Sequence, residues 1–208
     1  MTITYLGHSC FRLEQDGFSL LIDPYCQVPG FPDIAGEADA VYCSHQHYDH
    51  NFTQQLRLTG RQESPFSVRT VDVFHDDKGG ALRGPNRIHI FTAGGVTAAH
   101  LGDLGHQLTA EQAAAIGPLD ALLIPIGGTY TVDPAGAEAV AELLKPRVVV
   151  PMHYRIGEIG LPVLCQVEDF LALRPAGEIR RYDREGISSL SLTADTPAQT
   201  AVLAISKA

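Results

Sequence analysis

Three histidines and an aspartate, His45, His47, Asp49 and His50, fall within six positions in the stretch SHQHYDH, residues 44–50. Imidazole and carboxylate are the donors that hold divalent ions of the zinc class, at ~2.0–2.2 Å. They suit zinc, iron and manganese alike. His45 and His47 are two apart and can reach one ion together. Asp49 and His50 come after a turn and point toward a second. The stretch alone cannot complete two coordination spheres, so partners must come from elsewhere. His75 closes SVRTVDVFH, Asp103 closes HLGD and His153 closes RVVVPMH. His75 is read as the third ligand of the first ion, His153 as the completing ligand of the second, and Asp103 as the carboxylate shared between them. A pair of such ions ~3.5–4 Å apart holds a water between them as hydroxide at neutral pH. His100 competes with His75. It lies three before Asp103 on an apparent strand, and odd spacing sends two side chains to opposite faces. A strand that shows Asp103 to the metals therefore turns His100 away, unless the chain bends at Gly102.

These side chains meet only if strands deliver them to one rim. TITYLG, SCFRLEQ and FSLLID read as short strands, with Asp16-Gly17 as a hairpin turn. Residues 24–37 carry three prolines and two glycines and read as a loop. ADAVYC (38–43) reads as a buried strand. Asn51 is placed as the cap of a helix over 52–58. SVRTVDVFH, NRIHIFT and GVTAAHLGD are strands separated by Gly-rich turns. Residues 109–116 form a helix with Thr109 and Gln112 as a capping box, and 134–144 a helix with proline near its start. DALLIPIGG and RVVVPMHY are strands, 166–174 a helix, and the remainder short strands. His89 alternates with Ile88 and Ile90 and is placed on the solvent side. This order of elements suits two sheets packed face to face with helices outside.

The 208 residues suit one domain, 1–208, with a substantial core. A net charge of −9 repels phosphate backbones and disfavours nucleic acid as a partner. The four cysteines form no Cys-x-x-Cys pair, which speaks against a thiolate zinc site and a disulfide framework. No apolar run approaches the ~20 residues of a membrane helix, and the N-terminus lacks the pattern of a signal peptide. The expectation is a soluble, cytoplasmic protein acting on a small molecule, with homo-oligomerisation left open.

The signature His45-Gln46-His47-Tyr48-Asp49-His50 resembles that of the metallo-β-lactamase superfamily of hydrolases. GHSCF, LLIDP, HLGDLG, LLIPIGG and VVPMHY agree with it, from Ile3 to Tyr154. They resemble the branch that includes the L-ascorbate 6-phosphate lactonase. The resemblance implies an α/β fold, a four-layer αββα sandwich of mixed sheets with helices on both outer faces. It implies a dinuclear site at one rim, most simply zinc with manganese or iron as alternatives, and hydrolysis of an ester, lactone, amide or phosphodiester by a bridging hydroxide. His47 stands where diiron oxygen-reducing relatives carry glutamate, which favours hydrolysis over redox chemistry.

Further roles follow from position. Asp49 is a ligand with a spare oxygen that orients the hydroxide and passes on its proton. The family places His8 beside the metals without coordinating them, in substrate contact or proton handling. Asp23 ends FSLLID and is expected to hydrogen-bond a ligand histidine and fix its tautomer. Its competing role is to start a turn before Pro24. His106 and Tyr154 are candidates for lining the substrate pocket. Gly102 and Gly127-Gly128 permit close backbone approach. Arg83 and Arg87 are open between anion binding and solvation. The alternative to an enzyme is a catalytically inactive metal- or ligand-binding sensor on the same fold.

Overall fold

Asp16 and Gly17 both take positive φ, 49° and 73°. This is the backbone of a two-residue hairpin, and the flanking strands pair antiparallel from Gln15↔Phe18 to Phe11↔Ile22. The structure, a computed structural model, describes residues 1–206. In chain order the elements are β1 (Thr2–Gly7), β2 (Cys10–Gln15), β3 (Phe18–Ile22), β4 (Gly36–Ala38), β5 (Ala40–Tyr42), β6 (Leu56–Leu58), β7 (Ser67–Phe74), β8 (Pro85–Ala93) and β9 (Val96–His100). Then come α1 (Ala110–Ile116), β10 (Ala121–Pro125), α2 (Pro134–Leu144), β11 (Val148–Met152), α3 (Val167–Leu171), β12 (Ile179–Arg181), β13 (Ser189–Ser191) and β14 (Gln199–Val202).

Two mixed sheets carry the fold. The first has the order β13-β1-β2-β3-β5 and the second β12-β14-β11-β10-β9-β8-β7. Between them, Ile3, Phe11, Leu13, Leu20 and Ile22 pack against Phe91, Leu123 and Val150. Burying each large apolar side chain contributes ~1.5–3 kcal/mol. On the outer face of the second sheet, Ile88, Ile90, Leu122 and Val149 meet Ile116 of α1, Val140 of α2 and Phe170 of α3. With both faces covered, every residue of β10 and β11 is buried.

The first sheet is covered differently from the expectation of helices on both outer faces. Leu6, Cys10 and Leu21 pack under Tyr25, Val28, Phe31 and Ile34, all from the irregular segment between β3 and β4. Prolines and glycines keep that segment from coiling, yet its apolar side chains still close the layer.

Three local expectations are corrected. Residues 52–58 form no helix: Leu56–Leu58 is β6, paired parallel with β4. Tertiary strand pairing outweighs local propensity there, and Asn51 Nδ2 donates to Gln46 Oε1 instead of capping. The helix expected over 166–174 stops at Leu171, because the next amides bond three residues back, Leu173 to Phe170 and Arg174 to Leu171. His89 does face away from Ile88 and Ile90, but that side is the space between the sheets. It is 4% exposed and lies against Tyr42 and Phe91. The helices α1, with its Thr109–Gln112 capping box, and α2 stand where the sequence placed them.

Strand direction creates the rim. β1, β3 and β5 run the same way in the first sheet. β7, β9, β10 and β11 run the same way in the second. His8, Asp23 and the 44–50 loop leave the ends of β1, β3 and β5. His75, Asp103 and His153 follow β7, β9 and β11. Two backbone hydrogen bonds join the sheets near these ends: His153 N–H donates to His8 O at 2.9 Å, and Arg87 N–H to Ser44 O at 3.0 Å.

Candidate metal centre

Several rim residues hold unusual backbone. His8, Asp23 and His153 are non-glycine residues at φ 51°, 49° and 53°, and Gly102 just before Asp103 is at 53°. Such conformations cost ~1–3 kcal/mol and persist where the surroundings fix them. Here they turn each side chain off its strand into the space between the sheet ends. Close backbone contact completes the packing. A Cβ on Gly102 would lie 2.3 Å from Asn86 Oδ1, one on Gly105 2.3 Å from the His75 carbonyl carbon, and one on Gly127 2.2 Å from His153 O.

Asp103 sits at the centre, 2% exposed. Its Oδ1 is 3.2 Å from His50 Nε2, and its Oδ2 is 3.2 Å from both His75 Nε2 and His153 Nε2. One ligand atom from each of His45, His47 and His75 lies within 4.8 Å of the others. The same holds for His8, Asp49, His50 and His153. The chain thus brings together all the residues that sequence spacing nominated as ligands.

The far sides of three rings, those of His45, His50 and His75, are tied down. Asp23 Oδ2 is 2.8 Å from His50 Nδ1, and the Asp23 carboxylate also accepts from Ser44 N–H and Oγ–H at 2.7 and 2.6 Å. Ser44 Oγ in turn lies 2.9 Å from His45 Nδ1. His75 Nδ1 is 3.1 Å from the Tyr130 carbonyl oxygen. An acceptor at Nδ1 places the proton there and leaves Nε2 as the free lone pair, the arrangement that supports a metal ligand. His45 Nε2, His50 Nε2, His153 Nε2 and Asp103 Oδ1 are buried with no hydrogen-bond partner among the described residues. Buried polar atoms without partners are costly. A cluster of them facing one another, all nitrogen and oxygen, fits divalent cations of the zinc class.

Protonation agrees with that fit. Burial, helped by the charge of His50, lowers His45 to about 3. Burial and His153 lower His8 to about 4, against the pull of Asp49. His47 is also lowered, chiefly by burial. Burial opposes ionisation of Asp103 and Asp49, but the surrounding imidazoles outweigh it and hold both carboxyls below their usual range. His50 is the exception: burial opposes its charge, yet Asp103 and Asp23 raise its pKa. A cation held there would displace that proton, as metal binding generally does.

Other nominated residues fall outside the cluster. His100 is fully buried, with Nε2 2.8 Å from Ser9 O and Nδ1 accepting from Gly102 N–H at 3.1 Å, so both nitrogens are engaged away from the ligands. His106 Nε2 accepts from the Phe74 N–H at 3.2 Å and does not line the cleft. Tyr154 is 3% exposed and packs into the outer core, away from the cleft. The backbone turns their side chains off the rim. Two residues carry weight that spacing did not reveal. Asn86 Oδ1 accepts from Asp103 N–H at 3.0 Å while its Nδ2 donates to Leu101 O at 2.8 Å. Asp76 accepts the N–H groups of Lys78, Gly80, Leu82 and Arg83 at 2.8–3.0 Å. Burial opposes ionisation of Asp76, but these donors prevail and hold it at about 2. An asparagine inside a strand pattern was the only available hint of the first. An aspartate ahead of the Gly-rich turn after His75 was the local signal for the second.

The cluster opens into a cleft of about 320 Å³ lined by Tyr48, Asp49, His75, Asp103, Tyr130 and His153, among others. That volume lies in the small-molecule range. Among the described residues no helix is long and apolar enough to cross a membrane.

Residues 2–153 match the model of a beta-lactamase superfamily domain. A protein named a metal-dependent hydrolase from Carboxydothermus hydrogenoformans is 31% identical, covering 74% of this chain and 84% of that one. A crystal structure of a metallo-beta-lactamase superfamily protein from Thermotoga maritima superposes with a TM-score of 0.75 at 34% identity, over 98% of each chain. Igni18 from Ignicoccus hospitalis, described as a novel metallo hydrolase, has a TM-score of 0.62 at 25% identity, over 85% of this chain and 91% of that one.

Proposed function

The chain belongs to the metallo-β-lactamase superfamily and is a metal-dependent hydrolase; from this premise we propose that residues 1–208 form one domain that cleaves an ester, lactone or phosphodiester bond of a small molecule with two divalent ions, most simply zinc. His45, His47 and His75 would hold one ion, Asp49, His50 and His153 the other, and Asp103 would contact both. When bound, such ions supply a Lewis acid for the substrate's carbonyl or phosphoryl oxygen and make water acidic enough to attack near pH 7.

The chain's own groups do the rest. Asp23 and Ser44 keep the Nδ1 protons of His50 and His45 in place, so that Nε2 stays available. Asn86 fixes the backbone that carries Asp103. Asp49 stays ionised at neutral pH. It orients the attacking water and moves a proton toward the leaving group. His8 Nε2, 3.4 Å from Asp49 Oδ2, takes part in that transfer. Ser44 is unsuited as a nucleophile, since its hydroxyl is committed to Asp23.

The observation that carries this reading is the set of buried, unpartnered Nε2 atoms gathered around Asp103. The test is turnover of a lactone, ester and phosphodiester panel by the metal-loaded protein and by His47→Ala and Asp103→Asn. Turnover lost in both variants supports the proposal. A wild type that binds two ions and cleaves nothing contradicts it.

A further inference from the structure

We propose that Arg83 selects substrates bearing an oxyanionic group, a carboxylate or a phosphate monoester, and holds that group beside the metal cluster; the proposal rests on the hydrolase reading above. Arg83 is the one lysine or arginine among the residues lining the cleft. It also lines a neighbouring cavity of about 240 Å³, which shares His47 with the cleft. It therefore stands where substrate bound at the cluster would extend.

Its charge is uncommitted. Among the described residues no carboxylate forms an ion pair with Arg83, whereas Arg87, four positions on, has its Nε 2.8 Å from Asp72 Oδ1. A guanidinium carries five N–H donors in a planar fork. One nitrogen of Arg83 donates to Thr129 O at 3.1 Å. The group lies over the Tyr130 ring, 5.5 Å from its centroid, a cation–π contact that uses none of its N–H donors. A planar fork matches the two oxygens of a carboxylate or phosphate. Because the chain carries a net charge of −9, an anionic substrate meets general repulsion, and a local cation beside the cluster offsets it.

The loop gives this arginine a fixed position. Asp76, directly after His75, binds the backbone N–H of Arg83 at 2.8 Å and closes the segment between them. Arg83 is thereby tied to a residue of the cluster through a hydrogen-bonded ring rather than a free loop. Tyr48 and Tyr130, 53% and 36% exposed, offer aromatic surface to the uncharged part of the same substrate.

The test uses the metal-loaded protein and three 4-nitrophenyl esters of equal acyl length ending in a methyl, a carboxylate or a phosphate. The wild type should prefer at least one charged ester by about tenfold or more in kcat/KM, expressed in KM. Arg83→Gln should lower kcat/KM for that ester about tenfold more than for the neutral one, with Arg83→Lys intermediate. The two charged arms identify the group. Calorimetric titration with glutarate, propyl phosphate and the neutral glutaramide reads the same preference without turnover: at least one of the two anions should bind wild type more tightly than the diamide, and Arg83→Gln should erase that difference. Equal losses for all esters would make Arg83 a brace for Thr129 and overturn the proposal. So would a charge preference that survives in Arg83→Gln, which would place the anion on the metals. If no ester is cleaved, the hydrolase reading fails on these substrates while the titration still decides the role of Arg83.

Discussion

Asp23 Oδ2 lies 2.8 Å from His50 Nδ1, and both side chains are completely buried. The contact joins the end of β3 to the last candidate ligand of the 45–50 loop and sets which nitrogen of His50 is free. Asp23→Ala removes the acceptor, frees the ring to rotate and leaves the N–H and hydroxyl of Ser44 without their shared acceptor. Metal affinity is expected to fall about 10- to 100-fold, the usual loss when a ligand's supporting partner is removed. Competition with a chelator measures it. Unchanged affinity would show that Asp23 only shapes the turn before Pro24.

Gly102 controls the approach of Asp103. At φ 53°, with Asn86 Oδ1 and Ser44 Cβ 2.3 and 2.4 Å from where a Cβ would stand, it has no room for a side chain. Gly102→Ala should cost about 1–3 kcal/mol in stability and displace Asp103, so that metal binding and activity fall together. Denaturant unfolding and metal titration check the two effects. Full metal binding in a stable variant would mean that the loop relaxes freely.

His89 makes the fold sensitive to acid. Burial, then repulsion from His100 and Arg87, lowers its pKa to about 4 against the attraction of Asp23. In the unfolded chain a histidine titrates near ~6.5. The folded value is the lower one, so the unfolded state binds the proton more tightly. The contribution of neutral His89 is complete above pH ~6.5 and is lost as pH falls through about 4, by up to roughly 3 kcal/mol. His89→Phe should keep the packing against Tyr42 and Phe91 and show a shallower fall in melting temperature between those pH values. An identical pH profile would remove His89 from the account.

The candidate ligand set was legible as a cluster because its chemistry is local or punctuates strands: HxHxDH is one short stretch, and His75, Asp103 and His153 each follow an apolar run. Parallel strand direction then carries them to one rim. His100 has both nitrogens bonded away from the cluster, but strand alternation does not account for it, because β9 ends at His100 and the chain bends at Gly102 before Asp103. Sequence reasoning failed where partners are remote. Nothing near 52–58 announces pairing with 36–38, and a lone alternating histidine gives no sign that its sheet is buried on both sides. His106 and Tyr154 show that standing next to a ligand does not place a side chain in the cleft. Asn86 acts on backbone atoms of a remote segment, which leave no residue pattern to read, whereas Asp76 stands ahead of a Gly-rich turn whose N–H groups it binds.

The most direct test of the central claim is crystallographic anomalous scattering at the zinc edge from the zinc-loaded protein. Two peaks are expected, one among His45, His47 and His75 and one among Asp49, His50 and His153, with Asp103 touching both. A cluster without an anomalous peak, or zinc held elsewhere on the chain, would contradict the account.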